Sequence, residues 1–212
     1  MALRRMASRV GAAAALALAL QAPGPTLAQP SERRAGAGLA GQLLVAAPTM
    51  KDPRFARTVL YMVKHDAGGA LGLIVNRPFK EVPIADLMAR LGLEHEGVRG
   101  SMRMHYGGPV EPGRILVLHT ADYRAEGTEV VAGGFAVTAA PGILRAVGTG
   151  AGPRRALLFL SYSGWGPGQL DRELRSGDWI ALPAETALVF DDEYETKWER
   201  AMERRTRGKV DL

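Results

Sequence analysis

Three of the four histidines lie at the ends of strand-like apolar runs, where side chains that bind metals or move protons often collect. His65 ends TVLYMVKH, His105 begins HYGGPV, and His119 ends RILVLH. Imidazole nitrogens bind metal ions, and they act as general bases when a carboxylate orients them. The spacing is irregular, without a His-x-His or His-x-x-x-His pair, and the chain has no cysteine to supply a thiolate. We therefore expect histidines that form hydrogen bonds within the fold, and we predict no metal, no cofactor and no catalytic residue.

A glycine-rich segment, SYSGWGPGQL at residues 161–170, lies between an apolar run and the helix-like DREL. Turns of this kind bind phosphate in nucleotide enzymes through the pattern Gly-x-Gly-x-x-Gly. Here the spacing is Gly-x-Gly-x-Gly, and Pro167 removes a backbone N–H group that would hold a phosphate. The sequence thus favours a rigid turn that starts a helix over a nucleotide loop.

The same turn carries side chains that can recognise another molecule. Trp165 stands between two glycines with little bulk around it, so we expect its ring to pack on the sheet and hold the turn in place. Trp165, Gly166 and Gln169 are also candidates for binding a partner or a ligand.

Two other short motifs place an amide, a guanidinium and two glycines after strand-like runs. Asn76-Arg77 follows ALGLIV, and an arginine held there is a favoured interface anchor. The alternative is a turn in which Asn76 bonds to the backbone and Arg77 lies in solvent. Gly107-Gly108 permits a close backbone approach, either within the fold or to a ligand. These four residues complete the set of candidate binding residues.

The elements that position these motifs are many short strands and a few short helices. Strands are predicted over residues 42–48, 58–65, 70–76, 114–120, 128–138, 155–162 and 178–183, and helices over 52–55, 83–91, 143–147, 169–176 and 194–205. Gly68-Gly69 predicts a hairpin, Gly92 a helix end, and Asp192 with Glu195 a capping box. This pattern argues against a large parallel sheet with crossover helices.

Four motifs together resemble the YqgE/AlgH family of bacterial proteins. They are GQLLVAAPTMKDPRFARTVLYMVKHDAGGALGLIVNRP, HYGGPV, ILVLH and GWGPGQLDREL, in this order and at these separations, and the match spans about residues 39–200. One departure is Ser161-Tyr162-Ser163, where the family usually has Gly-Tyr-Ala. The resemblance implies a single α+β domain over residues 41–206. Its bent, bifurcated and mostly antiparallel sheet would form a pseudo-barrel with short flanking helices.

The resemblance implies little about function, because the family has no established reaction or cofactor and its label as a regulator of transcription is inherited. Our leading interpretation is a non-catalytic binding or regulatory domain with an unknown protein or small-molecule partner. The alternative is a small-molecule enzyme or sensor in which His65 or His119 and a carboxylate share a cleft. The net charge of +5 falls to +2 without the three arginines of residues 1–28, since 24 basic and 22 acidic residues then remain. A nucleic-acid partner is therefore disfavoured.

Residues 1–28 are predicted to be a signal peptide. MALRRMASR is basic, VGAAAALALAL is apolar, and small residues surround Ala28. The apolar stretch is too short for a transmembrane helix, so no integral span is expected in the mature chain. Residues 29–40 are predicted to be a flexible linker and 207–212 a C-terminal tail. We expect export to the periplasm; the alternative is the cytoplasm, where members of the family are normally placed.

Overall fold

The computed structural model describes residues 38–207, so the predicted signal peptide, most of the predicted linker and nearly all of the predicted C-terminal tail lie outside the described residues. The strands are β1 Gln42–Ala46, β2 Val59–Asp66, β3 Gly69–Ile74, β4 Pro78–Pro83, β5 Ser101–Tyr106, β6 Val110–Thr120, β7 Thr128–Val131, β8 Phe135–Thr138, β9 Ala156–Trp165 and β10 Trp179–Pro183. The helices are α1 Ile84–Arg90, α2 Gly142–Gly148, α3 Gln169–Arg175, α4 Thr186–Phe190 and α5 Lys197–Arg207.

The ten strands form one forked sheet with the order β10-β1-β2-β3-β9-β6-β8-β7, to which β5 and β4 are added through β9. The fork lies at β9, which pairs with β6, with β5 and, at its end, with β3. The β5–β9 pairing is parallel, and the other pairings among residues 38–207 are antiparallel. The sheet curls into a half-barrel with short helices beside it, which confirms the predicted single-domain α+β fold.

Three groups of buried apolar side chains fill the domain. The first lies inside the half-barrel, where the rings of Tyr61 and Phe135 are 4.6 Å apart and α4 and α5 contribute apolar side chains. The second packs α1 and α2 against β5, β6 and β9. The third holds Trp165 and Trp179 against β1, β2 and β3. Because Trp165 ends β9 and Trp179 starts β10, this third group fixes the turn that lies between them.

A buried lysine joins α4 to α5. The Lys197 ammonium group donates hydrogen bonds to the carbonyl oxygens of Val189 and Asp191, both at 3.0 Å, and lies 3.2 Å from the Asp191 carboxylate. Burial lowers the pKa of Lys197, while the Asp191 charge acts in the opposite direction. The lysine therefore satisfies carbonyl groups at the end of α4 that would otherwise lack a donor.

Several local predictions are confirmed. The β2–β3 hairpin turns at the predicted glycines, α1 covers the predicted apolar spacing, and Gly92 after it has a φ of 70°. The single strand predicted over residues 128–138 is wrong, because Gly133 and Gly134, with φ of 80° and 83°, form a turn that divides it into β7 and β8. Strands β4 and β5 and helix α4 were not predicted.

Three other predictions are corrected by side-chain contacts. Residues 52–55 form a turn, in which the Asp52 carboxylate binds Arg54, and no helix starts there. The predicted capping box does not form, since the Asp192 carboxylate accepts from the Tyr194 hydroxyl and α5 starts only at Lys197. Leu39, in the predicted linker, donates its backbone N–H to His65 Nδ1 and packs against the third core group, so the folded domain includes it.

Candidate functional site

A cleft of about 620 Å³ lies where the end of β9, the start of β10 and the loop after β1 meet. Its lining residues are Met50, Lys51, Asp52, Arg54, Phe55, Pro109, Val110, Gly164, Trp165, Gln169, Glu173, Asp178 and Trp179. We call it the tryptophan cleft. The glycine turn singled out in the sequence forms one side of it.

Two tryptophans and a phenylalanine form the wall of the tryptophan cleft. The Phe55 ring centroid is 6.3 Å from that of Trp165 and 5.5 Å from that of Trp179, and the two indoles are 5.9 Å apart. These separations are those of aromatic rings in direct contact. Trp165 and Trp179 are only 7% and 4% exposed, so the two indoles are packed into the fold behind the cleft surface.

One carboxylate fixes both indoles. Glu173 Oε2 accepts hydrogen bonds from Trp165 Nε1 and Trp179 Nε1, both at 2.8 Å, and Oε1 accepts from Gln169 Nε2 at 2.9 Å. Gln169 Oε1 in turn accepts the backbone N–H of Gly166 at 3.2 Å. The network ties the glycine turn, α3 and β10 together around the cleft. A carboxylate has four acceptor sites, so Glu173 keeps capacity for one more donor.

The rim of the cleft carries both charge signs. Arg54 binds the Asp52 carboxylate through Nε and Nη2, and the hydrogen bond from Arg54 lowers the pKa of Asp52. This pair is neutral as a unit. Among residues 38–207, Lys51, Glu173 and Asp178 make no ion pair, and all three line the cleft. The unpaired rim charges are thus one ammonium group and two carboxylates.

The predicted turn at the start of a helix is confirmed, and so is the packing of Trp165 against the sheet. Gly168 takes a φ of 64° immediately before α3, and the Gln169 N–H donates to the Gly166 carbonyl oxygen at 3.0 Å. Trp165, Gly166 and Gln169 all lie at the cleft or in the network behind it. That these residues bind a partner stays a prediction.

Asn76 and Arg77 serve the fold and lie outside the tryptophan cleft. Asn76 Oδ1 accepts the Val59 N–H at 2.9 Å and Asn76 Nδ2 donates to the Arg57 carbonyl oxygen at 2.9 Å. The Arg77 guanidinium donates to the carbonyl oxygens of Arg54 and Ala56, and burial lowers its pKa. The interpretation of Arg77 as a freely exposed anchor is therefore wrong, because its side chain is partly buried and two of its N–H groups hold the loop at Arg54 and Ala56.

Gly107 and Gly108 allow two segments of backbone to approach closely. A Cβ atom at Gly107 would collide with the Ser161 carbonyl oxygen, and a Cβ atom at Gly108 would collide with Ser163. Gly108 also has a φ of 147°, a backbone conformation that other residues rarely adopt. The Ser163 hydroxyl donates to the Gly107 carbonyl oxygen at 3.0 Å. These glycines are buried at the fork of the sheet, so the close approach is within the fold.

His119 uses both ring nitrogens in hydrogen bonds within the fold, and His65 uses Nδ1. His65 Nδ1 accepts the Leu39 N–H, and Nε2 lies 3.6 Å from the Asp171 carboxylate. His119 is fully buried, with Nδ1 2.8 Å from the Thr120 carbonyl oxygen and Nε2 2.9 Å from the Thr138 hydroxyl. Burial lowers the pKa of His119. Neither ring lines the tryptophan cleft, so the predicted shared cleft of histidine and carboxylate does not form there.

His105 is also fully buried, on β5. Its Nδ1 lies 3.2 Å from the Arg103 carbonyl oxygen and 3.3 Å from that of Leu158, which identifies it as the protonated nitrogen. His105 Nε2 has no hydrogen-bond partner within the described part of the chain. The His105 ring packs on the rings of Phe159 and Tyr194. Burial lowers the pKa of His105 to about 4. The ring is neutral at physiological pH and is enclosed by the fold.

Of the residues that line the cleft, sequence reasoning singled out only Trp165 and Gln169 and missed the others, among them Phe55, Glu173 and Trp179. Glu173 follows Gln169 by four residues in a short helix, a pattern typical of a solvated face. The available signal was the position of this helix between two tryptophans. Over residues 38–207, no three histidine or acidic side chains are grouped so as to hold a metal ion, and none of the helices is long and apolar enough to cross a membrane.

A family model described as AlgH-like matches residues 43–208. The chain belongs to the AlgH-like family. A UPF0301 protein from Rhodospirillum rubrum is 44% identical over 180 residues, which cover 85% of this chain and 92% of the relative. A UPF0301 protein from Caulobacter vibrioides is 46% identical over 169 residues, which cover 79% of this chain and 87% of the relative. The names of these relatives specify a family and no reaction.

Two solved structures share the architecture of this AlgH-like chain. The solution structure of the AlgH protein from Pseudomonas aeruginosa has a TM-score of 0.68 and 34% identity, covering 84% of this chain and 92% of that one. The crystal structure of a Corynebacterium diphtheriae protein has a TM-score of 0.61 and 22% identity, covering 77% and 85%. The latter likeness extends to the fold alone.

The departure at Ser161 has a structural counterpart in this AlgH-like chain. Ser161 has a φ of 72°, a conformation that favours glycine, which the resemblance implies at this position. The Ser161 hydroxyl donates to the Gly108 carbonyl oxygen across the fork of the sheet. A side chain at this position therefore supplies a hydrogen bond and imposes backbone strain.

Proposed function

We propose that this AlgH-like chain is a non-catalytic binding domain whose ligand enters the tryptophan cleft. The observation that carries the proposal is the Glu173 carboxylate, which lines the cleft and is fixed by hydrogen bonds from two buried indoles. Binding sites combine an apolar surface with a few polar groups that hold their positions. The network from Gly166 to Glu173 supplies those positions without the ordering cost that a mobile site would have. A domain of this kind can serve regulation, because occupancy alone would carry the signal.

The arrangement of acids and bases favours binding over catalysis. A general base needs a nitrogen lone pair or a carboxylate within reach of the substrate proton. None of the four histidines, which all lie within residues 38–207, lines the tryptophan cleft; His119 uses both ring nitrogens in hydrogen bonds within the fold, and the free nitrogen of His105 is buried. The cleft carboxylate Glu173 already accepts three hydrogen bonds, from Trp165, Gln169 and Trp179, which hold it in place within the fold.

The rim charges indicate the chemistry of the ligand. The cleft lining holds two carboxylates that form no ion pair among residues 38–207, Glu173 and Asp178, and one such ammonium group, Lys51, while Asp52 and Arg54 neutralise each other. A ligand with a cationic group and an apolar body complements this surface. A guanidinium suits it well, because its planar donors match carboxylate geometry and it stacks on aromatic rings.

The three tryptophans provide the test. Trp165 and Trp179 lie in the cleft, whereas Trp198 donates its indole N–H to the Ala46 carbonyl oxygen at 2.8 Å and does not line the cleft. The indole N–H signals of ¹⁵N-labelled protein are followed during titration with N-acetyl-arginine amide. Its neutral counterpart N-acetyl-citrulline amide and the acidic N-acetyl-glutamate amide are the matched probes.

We expect the arginine probe to move the Trp165 and Trp179 signals to saturation, to leave Trp198 in place, and to bind more tightly than the other two probes. Asp178→Asn should weaken this binding, because Asp178 is a rim carboxylate with no partner in the described part of the chain. Equal shifts of all three indoles, or no saturable shift with any probe, would contradict a binding role for the cleft. Equal affinity for the three probes would contradict only the cationic character of the ligand and would leave the binding role of the cleft in place.

A further inference from the structure

A second concave surface lies beside β4 and is almost wholly apolar. One hollow, of about 340 Å³, is lined by Phe79, Tyr106, Gly108, Pro109, Pro112, Leu160 and Ser161. A second, of about 270 Å³, is lined by Lys80, Val82, Pro83, Asp86, Leu87, Arg90, Met104 and Leu160. We call the two hollows together the apolar trough. It borders the tryptophan cleft at Pro109 and shares no other lining residue with it.

The two hollows lie on one face of the sheet. Met104 and Tyr106 are two residues apart on β5, so their side chains point to the same side. Leu160, which is paired with Tyr106 across the β5–β9 ladder, lines both hollows. The apolar surface therefore runs from Leu87 on α1 past Leu160 to Phe79 and the prolines.

Phe79 shows that this surface is uncovered. Its side chain is 55% exposed, the highest value among the large apolar residues that the structure describes as exposed. It lies at a register shift between β4 and β5, which releases it from the regular alternation of the strand. An exposed aromatic ring beside a concave apolar lining marks a binding surface.

The charges at one end of the apolar trough select the ligand. Lys80 and Arg90 line it without an ion pair among residues 38–207, and Asp86 offsets one of the two positive charges. The neighbouring arginines are neutralised, since Arg103 lies 3.8 Å from Glu81 and Arg114 lies 2.9 Å from Glu111. The end of the trough thus carries one net positive charge, which complements a single carboxylate.

We infer that the apolar trough binds an alkyl carboxylate, with its chain over Leu160 and Phe79 and its carboxylate at Lys80 and Arg90. Taken together, the two hollows of about 340 Å³ and 270 Å³ fall within the range of small-molecule sites, about 300–1,000 Å³. Each methylene that leaves water adds to affinity, so a longer chain binds more tightly until the trough is filled. This ligand is anionic and is therefore distinct from the cationic ligand of the tryptophan cleft.

The test uses dodecanoate below its micelle concentration, with binding measured by calorimetry and by the aromatic NMR signals of Phe79 and Tyr106. Dodecyltrimethylammonium has the same chain with the opposite charge, and hexanoate has the same head with a shorter chain. We expect each of these to bind at least about tenfold more weakly than dodecanoate. The Trp165 and Trp179 indole signals should stay in place.

Two exposed positions supply the variants. Phe79→Ser should weaken dodecanoate binding at least about tenfold by removing apolar contact, and Lys80→Glu should do the same by reversing a charge. Val130→Ser, which changes another exposed apolar residue (47% exposed) outside the trough, should leave the affinity unchanged. No saturable binding, equal binding of the cationic amphiphile, or insensitivity to Phe79→Ser would overturn the inference. Sedimentation that shows a dimer abolished by Phe79→Ser would also overturn it, because a second copy would then cover the trough.

Discussion

Glu173→Ala removes the acceptor that both cleft tryptophans share, so we expect it to destabilise the domain. The substitution leaves Trp165 Nε1 and Trp179 Nε1 without a partner, and the two residues are 7% and 4% exposed. A buried donor that loses its partner costs about 1–3 kcal/mol. Relaxation of the indole edges toward the cleft reduces the total for two donors, so we expect a loss of about 2–4 kcal/mol. Helix α3 itself should persist, since alanine favours helix.

Two further variants separate the lost hydrogen bonds from other effects. Glu173→Gln keeps an oxygen that can accept from both indoles, but Gln169 must turn and release the Gly166 N–H. Its expected cost is about 1 kcal/mol, one hydrogen bond. Glu203→Ala, an exposed glutamate on α5, is the matched control and should change stability by no more than about 0.5 kcal/mol.

The assay is urea unfolding followed by tryptophan fluorescence, with the indole N–H signals of the native variants as a local probe. We expect the free energy of unfolding to decrease in the order Glu203→Ala, Glu173→Gln, Glu173→Ala. We also expect the Trp165 and Trp179 signals to move in both Glu173 variants while Trp198 stays in place. If Glu173→Ala is as stable as Glu203→Ala, the carboxylate does not hold the indoles and the reasoning is refuted.

Three further predictions concern pH, the strand end and the leader. Burial lowers the pKa of His105 to about 4 in the folded state. Between about pH 6.5 and pH 4, His105 is therefore protonated in the unfolded chain and neutral in the folded one. The His105 contribution should lower the free energy of unfolding by up to about 3 kcal/mol as pH drops through this window, and His105→Asn should show a shallower slope in urea melts at several pH values, with the part from buried His119 remaining. Arg77→Ala should cost about 1–2 kcal/mol in the same assay, since two loop carbonyls lose their donor; a loss within the error of Arg99→Ala, an exposed control, would show that these bonds contribute nothing. We predict export and cleavage before Gln29, so N-terminal sequencing of the native protein should begin there, and an intact Met1 in the cytosol would contradict it.

The sequence was informative where the local pattern and the tertiary structure agree. Short apolar runs bounded by glycine, such as the β2–β3 hairpin, were predicted because strand and turn signals are adjacent in the chain. The curled, forked sheet came from the resemblance to a family. It depends on the pairing of β9 with three different strands, which are distant in sequence. Polar strand β4, with exposed Lys80 and Glu81, lacks the apolar pattern that identifies a strand.

The candidate site was predicted only in part, for the same reason. Trp165, Gly166 and Gln169 are close in sequence and were recognised as one turn. Glu173 looked like a solvated helix residue. Its role depends on the fold, because Trp179, on the strand after α3, donates its indole N–H to the same Glu173 oxygen as Trp165. Arg77 was misread because its acceptors are backbone carbonyl groups of a loop about twenty residues earlier. Every residue has a backbone carbonyl group, so the sequence does not indicate which of them will accept a hydrogen bond.

The role of the tryptophan cleft is tested most directly in the native host, with a photo-crosslinking amino acid at Lys51. This exposed residue lies on the rim of the cleft, and the same probe at exposed Glu203 on α5 is the control. Irradiation followed by mass spectrometry identifies any adduct and its position. We expect an adduct with a cationic ligand or segment at position 51 and none at position 203. Adducts at position 203 with none at position 51 would contradict the proposal that ligand binds in the tryptophan cleft.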